Sequence, residues 1–403
     1  MNILYILQQS IYGNDNKWRS GDSNINMMIG LFEAMRQTKK WKDLKIDVVI
    51  GKLSDFFDIK SFDELFKDDN VKFIECDFPI DAFTNRQHFD VRFWKPLIER
   101  NYDVIVSNIT EQSRNIKTLV ETMHKKTKLV TQCFWMDCPE ISEPKVPESY
   151  SYQWRQFDGY LCSDLCVFTC QSVQHAFVEN AFHVFNKKYV DEIIKKSVIW
   201  DFGFSVTEAE KYRQPKFLED KATILFLNRL SGINYTHHLE FIETINRIAK
   251  YQKDFEVVFT NPSGKIDQTW LEANCANVRK INSPLNREDY WKLLYESDIS
   301  VHLFTLERYS GCSVRESIHA ENITVVANCF EQARLVDIPE LKVDIIDGEI
   351  SIDSLEKSLN YALLTKYLFD DDDFKKIREK NINCCSFEAQ VVGILDKLYD
   401  LIK

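Results

Sequence analysis

Short apolar runs alternate with helical patterns along most of this 403-residue sequence, and the alternation restricts the fold more than any other feature. In the first half, the apolar runs are Asn2–Leu7, Ile46–Ile50, Lys72–Glu75, Asp103–Ser107, Lys128–Phe134, Val167–Thr169 and Val198–Trp200. Helical patterns lie between them, for example Ile25–Met35, Ile116–His124 and Val173–Phe185. Near-continuously apolar strands separated by helices predict a parallel sheet that is covered on both faces.

The alternation is interrupted once and then restarts. The stretch from Asp201 to Asp220 is polar, has one proline and predicts an irregular inter-domain linker. The later apolar runs are Thr223–Leu227, Glu256–Thr260, Val278–Ile281, Ile299–Phe304 and Ile323–Ala327. The helical patterns after the linker include Thr236–Tyr251, Arg287–Tyr295 and Phe387–Ile402.

We therefore predict an α/β protein with two Rossmann-like, doubly wound domains that face each other across a cleft. A chain of this length exceeds one ordinary core and fits two domains of typical size. The predicted parts are a first domain at 1–202, a linker at 203–221, a second domain at 222–385 and a helix at 386–403 that packs back on the junction. Ligands of such sheets bind beyond the carboxyl ends of the strands, so each strand-to-helix loop there is a candidate site.

Charge and cysteine content limit the classes of partner and the cellular compartment. The net charge of −11 argues against a general nucleic-acid binder. Residues 1–200 carry 26 Lys and Arg against 28 Asp and Glu, which leaves 25 against 34 for the remainder. An anionic acceptor would therefore meet the first half. No apolar run reaches the roughly 20 residues of a membrane span, and eleven cysteines without a secretion signal predict free thiols in the cytoplasm.

The stretch from Glu307 to Asn328, ERYSGCSVRESIHAENITVVAN, predicts a loop, a helix from about Cys312 to Glu321, and a strand. Its loop holds the small residues Ser310, Gly311, Cys312 and Ser313. A glycine at a loop-to-helix junction leaves N–H groups that can bind a diphosphate. Glu316 follows in the first turns, where its carboxylate can accept from two vicinal ribose hydroxyls. The alternative is an ordinary loop with a surface glutamate.

Three further loops follow predicted strands of the second domain. After the first strand, Arg229, Ser231, Gly232 and Asn234 offer a cation and polar donors for a phosphate, or else form a capping loop. Asn261 lies in the turn Thr260–Gly264, and that turn and the next loop, Ile281–Leu285, have the positions of a base pocket.

Two aspartates are the candidate catalytic residues of the first domain. Asp137 ends an apolar strand beside Trp135, where its pKa would be raised and it could take a proton from an acceptor hydroxyl. Asp22 lies in the first strand-to-helix connection. Either residue could instead cap a turn or helix. Neither the histidines nor the cysteines have metal-ligand spacing, so we predict no dedicated metal site.

With these loops in place, the chain resembles the GT-B glycosyltransferases over nearly its full length. Arg229 matches the arginine of that family's phosphate loop, with Asn234 at the position of its lysine. Glu316 matches the second glutamate of its Glu-x7-Glu motif, with Arg308 at the first position. The resemblance implies a UDP-sugar as co-substrate and donor. The two departures argue against the common retaining mechanism, and a divalent metal stays an open alternative without dedicated protein ligands.

A second resemblance is to the β-glucosyltransferases with which T-even phages modify hydroxymethylcytosine in DNA. Four stretches occur in the same order: Arg19 to Asp22, Lys128 to Asp137, Ser231-Gly232 followed after seven residues by Glu240-Phe241, and Asn261. The arginines of that family's phosphate loop fall on Leu230 and Asn234. The resemblance implies an inverting transfer with Asp137 as the base, on double-stranded DNA, in the host cytoplasm if phage-encoded.

Other acceptors and activities stay open at this point. The chain could instead glycosylate a saccharide, lipid or protein, or be an epimerase or a non-catalytic binder, and the sugar could be a hexose or a pentose. We expect a monomer. A cluster of cations would favour DNA if it lines the cleft, and its members are Arg114, Lys117, Lys125, Lys126 and Lys128.

Overall fold

The computed structural model describes residues 1–7, 23–50, 66–76, 89–133, 147–201, 203–215, 221–228, 237–260, 267–280, 285–305, 311–368 and 372–403. The chain folds into two compact units, and the division between them lies between residues 202 and 203. The first unit consists of the described residues up to 201 together with Gln390–Lys403, and the second lies within Gly203–Ala389.

A seven-stranded parallel sheet forms the centre of the first unit. Its strands are β1 (Asn2–Ile6), β2 (Lys45–Ile50), β3 (Val71–Glu75), β4 (Val104–Ser107), β5 (Lys128–Cys133), β6 (Leu165–Phe168) and β7 (Ser197–Ile199). They lie in the order β3-β2-β1-β4-β5-β6-β7. The chain therefore leaves β1 in one direction and returns to start the other half at β4, which is the doubly wound arrangement.

Helices of the first unit cover this sheet. They are α1 (Ser23–Arg36), α2 (Val91–Ile98), α3 (Ser113–Thr122), α4 (Pro147–Cys162), α5 (Gln171–Val184) and α6 (Lys187–Lys195). All four residues of β4 and of β6 are buried, so these central strands are covered on both faces. Trp94 of α2 packs with Leu4 and Ile105 of the sheet in one core cluster.

A five-stranded parallel sheet forms the centre of the second unit. Its strands are β8 (Ala222–Phe226), β9 (Phe255–Phe259), β10 (Ile299–His302), β11 (Ile323–Ala327) and β12 (Lys342–Val343), in the order β12-β11-β10-β8-β9. Val278 adds a single parallel bridge to Val257 of β9, where the sequence predicted a strand over Val278–Ile281. Residue 281 lies outside the described part. β13 (Ile345–Ile346) and β14 (Glu349–Ile350) form a separate antiparallel pair.

The helices after residue 203 are α7 (Val206–Lys211), α8 (His238–Ile248), α9 (Gln268–Asn274), α10 (Arg287–Glu296), α11 (Cys312–His319), α12 (Phe330–Leu335), α13 (Ile352–Thr365), α14 (Asp372–Cys385) and α15 (Phe387–Ile402). The predicted class, α/β with doubly wound parallel sheets, is confirmed by these two sheets and their helices. Among the described helices, none combines the length and the apolar character that a membrane crossing requires.

Part of the stretch that we predicted to be an irregular linker is helical. α7 occupies Val206–Lys211, and its N-cap Ser205 accepts a hydrogen bond from the backbone N–H of Glu208. The carboxylate of Glu388 accepts from the Ser205 hydroxyl at 2.8 Å and from the N–H groups of Val206 and Thr207 at 3.0 and 2.9 Å. The polar sequence here is thus a capped helix start, and not an irregular segment.

α15 has the bounds that the sequence predicted for the last helix, and it belongs to both units. It starts at Phe387 in the second unit, and its residues from Gln390 onward belong to the first. There Asp396 pairs with the Lys40 ammonium, which also lies 5.1 Å from the centre of the Tyr399 ring.

Two helical glycines should respond oppositely to alanine. A Cβ at the buried Gly159 of α4 would overlap the carbonyl oxygen of Thr110, whereas a Cβ at the exposed Gly393 of α15 would meet no atom within 4 Å. We expect Gly159→Ala to lower the free energy of unfolding by about 3 kcal/mol, through overpacking against backbone. Gly393→Ala should raise it by about 1 kcal/mol. Urea unfolding of both variants measures this, and equal effects would contradict the packing of α4 on Thr110.

Candidate functional site

The predicted donor-binding loops all follow strands of the second sheet. β8, β9 and β10 are parallel, so their carboxyl ends lie at one edge of that sheet. Gly311, Cys312, Ser313 and Glu316 are in the described part of the chain, next to this edge. The other predicted site residues lie outside the described residues: Asp22, Asp137, Arg229, Ser231, Gly232, Asn234, Asn261, Arg308 and Ser310.

Gly311 is the N-cap of α11, and its backbone is left-handed with φ 60° and ψ 46°. This conformation is strained for most residues that have a side chain, which explains why a glycine occupies the position. Gly311 has no side chain that could cap the helix, and the first N–H groups of any α-helix point outward along its axis. Their positive end of the helix dipole suits an anion such as a diphosphate. The helix starts at Cys312, as predicted, and ends at His319, two residues before the predicted Glu321.

His302, the last residue of β10, lies beneath the start of α11. Its ring nitrogen Nδ1 is 3.3 Å from the hydroxyl of Ser313, and its Nε2 is 3.2 Å from that of Ser317. Complete burial lowers the pKa of His302 from 6.5 to about 3, so the ring is neutral. A neutral ring donates from one nitrogen and accepts at the other, which fixes both serines. The sequence placed this histidine in a strand with a structural role, without indicating its contact with Ser313.

This burial predicts an acid-sensitive stability. Because the folded pKa lies below the ordinary value, the unfolded chain binds the proton first as pH falls. The contribution of the neutral His302 ring to the free energy of unfolding is complete above pH 6.5 and is lost as pH falls toward about 3. Between roughly pH 7 and 5, the loss should be about 2 kcal/mol. We expect His302→Asn to flatten this part of the pH profile in urea unfolding. His175→Asn, at an exposed position, is the control and should follow the unchanged protein.

Glu316 is buried, at 6% exposure, so the alternative of a surface glutamate is wrong. One carboxylate oxygen accepts from Nη2 of Arg287 at 2.9 Å, and the other accepts from the hydroxyl of Tyr290 at 2.8 Å. Burial raises the pKa of Glu316, and the charge of Arg287 opposes the rise. The carboxylate is thus held in one orientation by two donors from α10.

Arg287, the first residue of α10, also binds Glu208 of α7. Its Nε lies 3.0 Å from one carboxylate oxygen of Glu208, and its Nη2 lies 2.6 Å from the other. Burial disfavours the charged form of Glu208, but the hydrogen bonds and charge of Arg287 outweigh it and lower the pKa. Neither Arg287 nor Glu208 was predicted as a site residue. The available signal was that Arg287 lies two residues after the loop Ile281–Leu285, which we predicted to form part of the base pocket.

A buried ion pair also holds α11, at the residue next to Glu316. Arg315 and Glu331 are both fully buried, and their charged groups lie 3.2 Å apart. The side-chain amide of Asn381 donates to the backbone carbonyl of Arg315 at 2.9 Å. Pairs of this kind are costly to break, so this contact fixes α11 in addition to the contacts of Glu316.

His237 precedes α8 and connects two of the predicted loops. Its Nε2 lies 2.7 Å from the hydroxyl of Thr305, which follows β10. Its Nδ1 lies 3.3 Å from a carboxylate oxygen of Glu240 and 3.4 Å from one of Glu349. Within the described part, these three acidic and imidazole groups are the set that could hold a metal ion, with ligand atoms within 4.8 Å of one another. The hydrogen bonds between them already account for this arrangement.

The cations that the sequence offered for DNA mostly lie away from the carboxyl edge of the first sheet. β5 begins at Lys128, so this residue and the preceding Lys125 are at the amino edge. Lys117 pairs with Asp164 at 2.8 Å, and Lys128 is 4.0 Å from the same carboxylate. Arg114 pairs with Asp158 at 2.6 Å.

No protein-family model and no curated protein matches the sequence. Solved structures match it along its whole length. A glycosyltransferase from Rickettsia africae has a TM-score of 0.65 at 13% identity, covering 100% of this chain and 98% of that one. HepE from Anabaena, in complex with UDP, has a TM-score of 0.64 at 12% identity, covering 99% and 100%. A trehalose-6-phosphate synthase studied for glycosyl transfer with retention has 0.63 at 12%, covering 99% of both chains.

At this level of identity the similarity establishes the fold alone. These neighbours are GT-B glycosyltransferases, and they cover nearly all of this chain. The predicted GT-B fold is therefore confirmed.

Proposed function

We propose that this protein is a glycosyltransferase that moves a sugar from a UDP-linked donor to an acceptor hydroxyl. The observation that carries the proposal is the joint placement of two groups at one sheet edge. The glycine N-cap of α11 suits a diphosphate, and the oriented carboxylate of Glu316 suits a ribose. HepE, which shares the fold, binds UDP.

The two groups divide the donor between them. The N–H groups at the start of α11 would bind the diphosphate, with Ser313 held in place by His302. Each oxygen of Glu316 accepts one hydrogen bond in the protein, and a carboxylate oxygen has two acceptor positions. One position per oxygen is left for the two ribose hydroxyls. The sequence assigns Arg229, Ser231, Gly232, Asn234, Asn261, Arg308 and Ser310 to the same donor.

The proposed chemistry places the base in the first unit. β5 is an interior strand of the seven-stranded sheet, between β4 and β6, and Asp137 follows its carboxyl end in sequence. There its carboxylate would remove the proton of the acceptor hydroxyl as that oxygen attacks the anomeric carbon. The bond from this carbon to the diphosphate would break, UDP would leave with the bonding electrons, and the carbon would be inverted. Asp22 would orient the acceptor. The competing mechanism is retention, the course named for the trehalose-6-phosphate synthase, in which the donor phosphate itself would assist the attack.

For the acceptor, we propose 5-hydroxymethylcytosine in double-stranded DNA, ahead of saccharides, lipids and proteins. The four ordered stretches that resemble the phage β-glucosyltransferases support it, whereas the near-neutral charge of the first half favours neither DNA nor another acceptor. The paired cations at the amino edge of the first sheet do not contribute to this argument.

Product mass tests the function directly. The protein is incubated with a panel of UDP-hexoses and UDP-pentoses and with four acceptor classes, including a hydroxymethylated duplex. An otherwise identical duplex with plain cytosine is the matched control. We expect the hydroxymethylated strand alone to gain the mass of one sugar. Transfer only to a saccharide, lipid or protein would refute the DNA acceptor and keep the transferase, whereas no transfer from any donor to any acceptor would refute both.

A further inference from the structure

The guanidinium of Arg287 joins two carboxylates from separate helices, Glu208 of α7 and Glu316 of α11. Its Nη2 donates to both of them, at 2.6 Å to Glu208 and at 2.9 Å to Glu316, and its Nε donates to Glu208 at 3.0 Å. The side chains are 24%, 25% and 8% exposed for Arg287, Glu208 and Glu316. All three side chains are therefore largely shielded from water. Hydrogen bonds between charged groups are strong in such surroundings.

The two carboxylates have different roles in this arrangement. Glu208 takes the two parallel hydrogen bonds of a bidentate pair, which fixes the plane of the guanidinium. Glu316 receives only the remaining hydrogen of Nη2, and the Tyr290 hydroxyl holds its other oxygen. The guanidinium carbon also lies 5.3 Å from the Tyr290 ring centre and 5.4 Å from that of Trp291, which limits its movement. The direction in which Glu316 faces therefore depends on Arg287, and Arg287 depends on Glu208.

We propose that Arg287 and Glu208 are positioning residues that make the donor site selective for a nucleotide with both ribose hydroxyls. The inference rests on the proposed function, because it takes Glu316 as the ribose acceptor. With Glu316 held by Arg287 and Tyr290, one acceptor position on each oxygen is directed at a vicinal diol. A 2′-deoxyribose can fill only one of them. Loss of the anchor lets the carboxylate turn, so it weakens binding of the diol more than binding of the deoxy sugar.

α7 adds a structural consequence. It is the first helix after the division between the two units, and Glu388 at the start of α15 caps it. The start of α15 thus contacts α7 through Glu388, and α7 in turn contacts Glu316 through Glu208 and Arg287.

The test compares the dissociation constants of UDP and 2′-deoxy-UDP by isothermal titration, in Arg287→Met, Arg287→Lys and Glu208→Gln. Arg287→Met should weaken UDP binding about tenfold, the effect of one hydrogen bond to a charged group, and 2′-deoxy-UDP binding by less than about twofold. Arg287→Lys should recover only part of this, because an ammonium cannot make the bidentate pair. Glu208→Gln, at a residue that contacts neither the nucleotide nor Glu316, should likewise weaken UDP binding more than 2′-deoxy-UDP binding. Lys292→Met is the control, since Lys292 lies on the same helix and pairs with Glu288 at 2.6 Å.

The outcomes separate the inference from the proposed function. The ratio compared is the dissociation constant of 2′-deoxy-UDP divided by that of UDP. A smaller ratio in Glu208→Gln and Arg287→Lys than in the unchanged protein, with the ratio in Lys292→Met unchanged, supports the positioning role. If both nucleotides lose affinity equally in these variants, Arg287 only stabilises the fold and the inference is overturned. Equal binding of the two nucleotides by the unchanged protein also overturns it. If the unchanged protein binds neither nucleotide, the proposed function itself fails. Should Arg287→Met not fold, the two milder variants decide the question.

Discussion

Asp137→Asn is expected to lower turnover by about 100- to 10,000-fold while UDP binding stays unchanged. General-base contributions have this size, and asparagine keeps the shape of aspartate but cannot take the proton. Asp137 follows β5, an interior strand of the first sheet, whereas the proposed donor groups are in the second unit. Steady-state kinetics with the acceptor identified by product mass gives the turnover, and titration with UDP gives the affinity.

Asp22→Asn is the matched control, and its loss of turnover should be milder, because Asp22 is assigned to orienting the acceptor. A fully active Asp137→Asn with an inactive Asp22→Asn would reverse the two roles. If both variants stay active, neither Asp137 nor Asp22 is the base, and the argument for an inverting base fails. Transfer with retention, the course named for the trehalose-6-phosphate synthase with the same fold, is then the mechanism to adopt.

Glu316→Gln is expected to weaken UDP binding by about 10- to 100-fold. Hydrogen bonds to a charged group contribute about 1.5–3 kcal/mol each, and glutamine keeps one acceptor oxygen, so one of the two ribose hydrogen bonds is lost. Glutamine is preferable to alanine here, because alanine would leave Arg287 and Tyr290 without their buried acceptor. Isothermal titration measures the change.

Glu321→Gln is the control for this variant. Glu321 follows the same helix and also pairs with an arginine, at 3.0 Å from Arg213, but it lies at the opposite end of α11 from Gly311. We expect its UDP affinity to match that of the unchanged protein. Unaltered affinity in Glu316→Gln would remove the ribose role from Glu316.

The strands and the fold class were predictable because their signal is local. Ile323–Ala327 is a continuous β-branched run, and the structure gives it the same bounds as the sequence did. The start of α11 was predictable for a similar reason, since a loop of small residues around Gly311 comes directly before the helical pattern that begins at Cys312. In each case, the residues that carry the signal are neighbours in the chain.

The environment of Glu316 could not be predicted, because it depends on residues far apart in the sequence. Glu208, Arg287 and Glu316 meet only after α7, α10 and α11 have packed against one sheet. Nothing in the sequence around Glu208 distinguishes it from a surface glutamate, and its stretch was predicted to be an irregular linker. The contact of His302 with Ser313 is similar, since a histidine that ends a strand carries no mark of which loop covers it.

Amide hydrogen exchange with and without UDP tests most directly whether the donor binds at the Gly311 end of α11. At saturating UDP, we predict slower exchange in peptides that cover residues 311–319 and 285–296, with unchanged exchange at the carboxyl ends of β4 and β5. Exchange that is unaltered in 311–319, or slowed only within residues 1–201, would contradict the donor site described here.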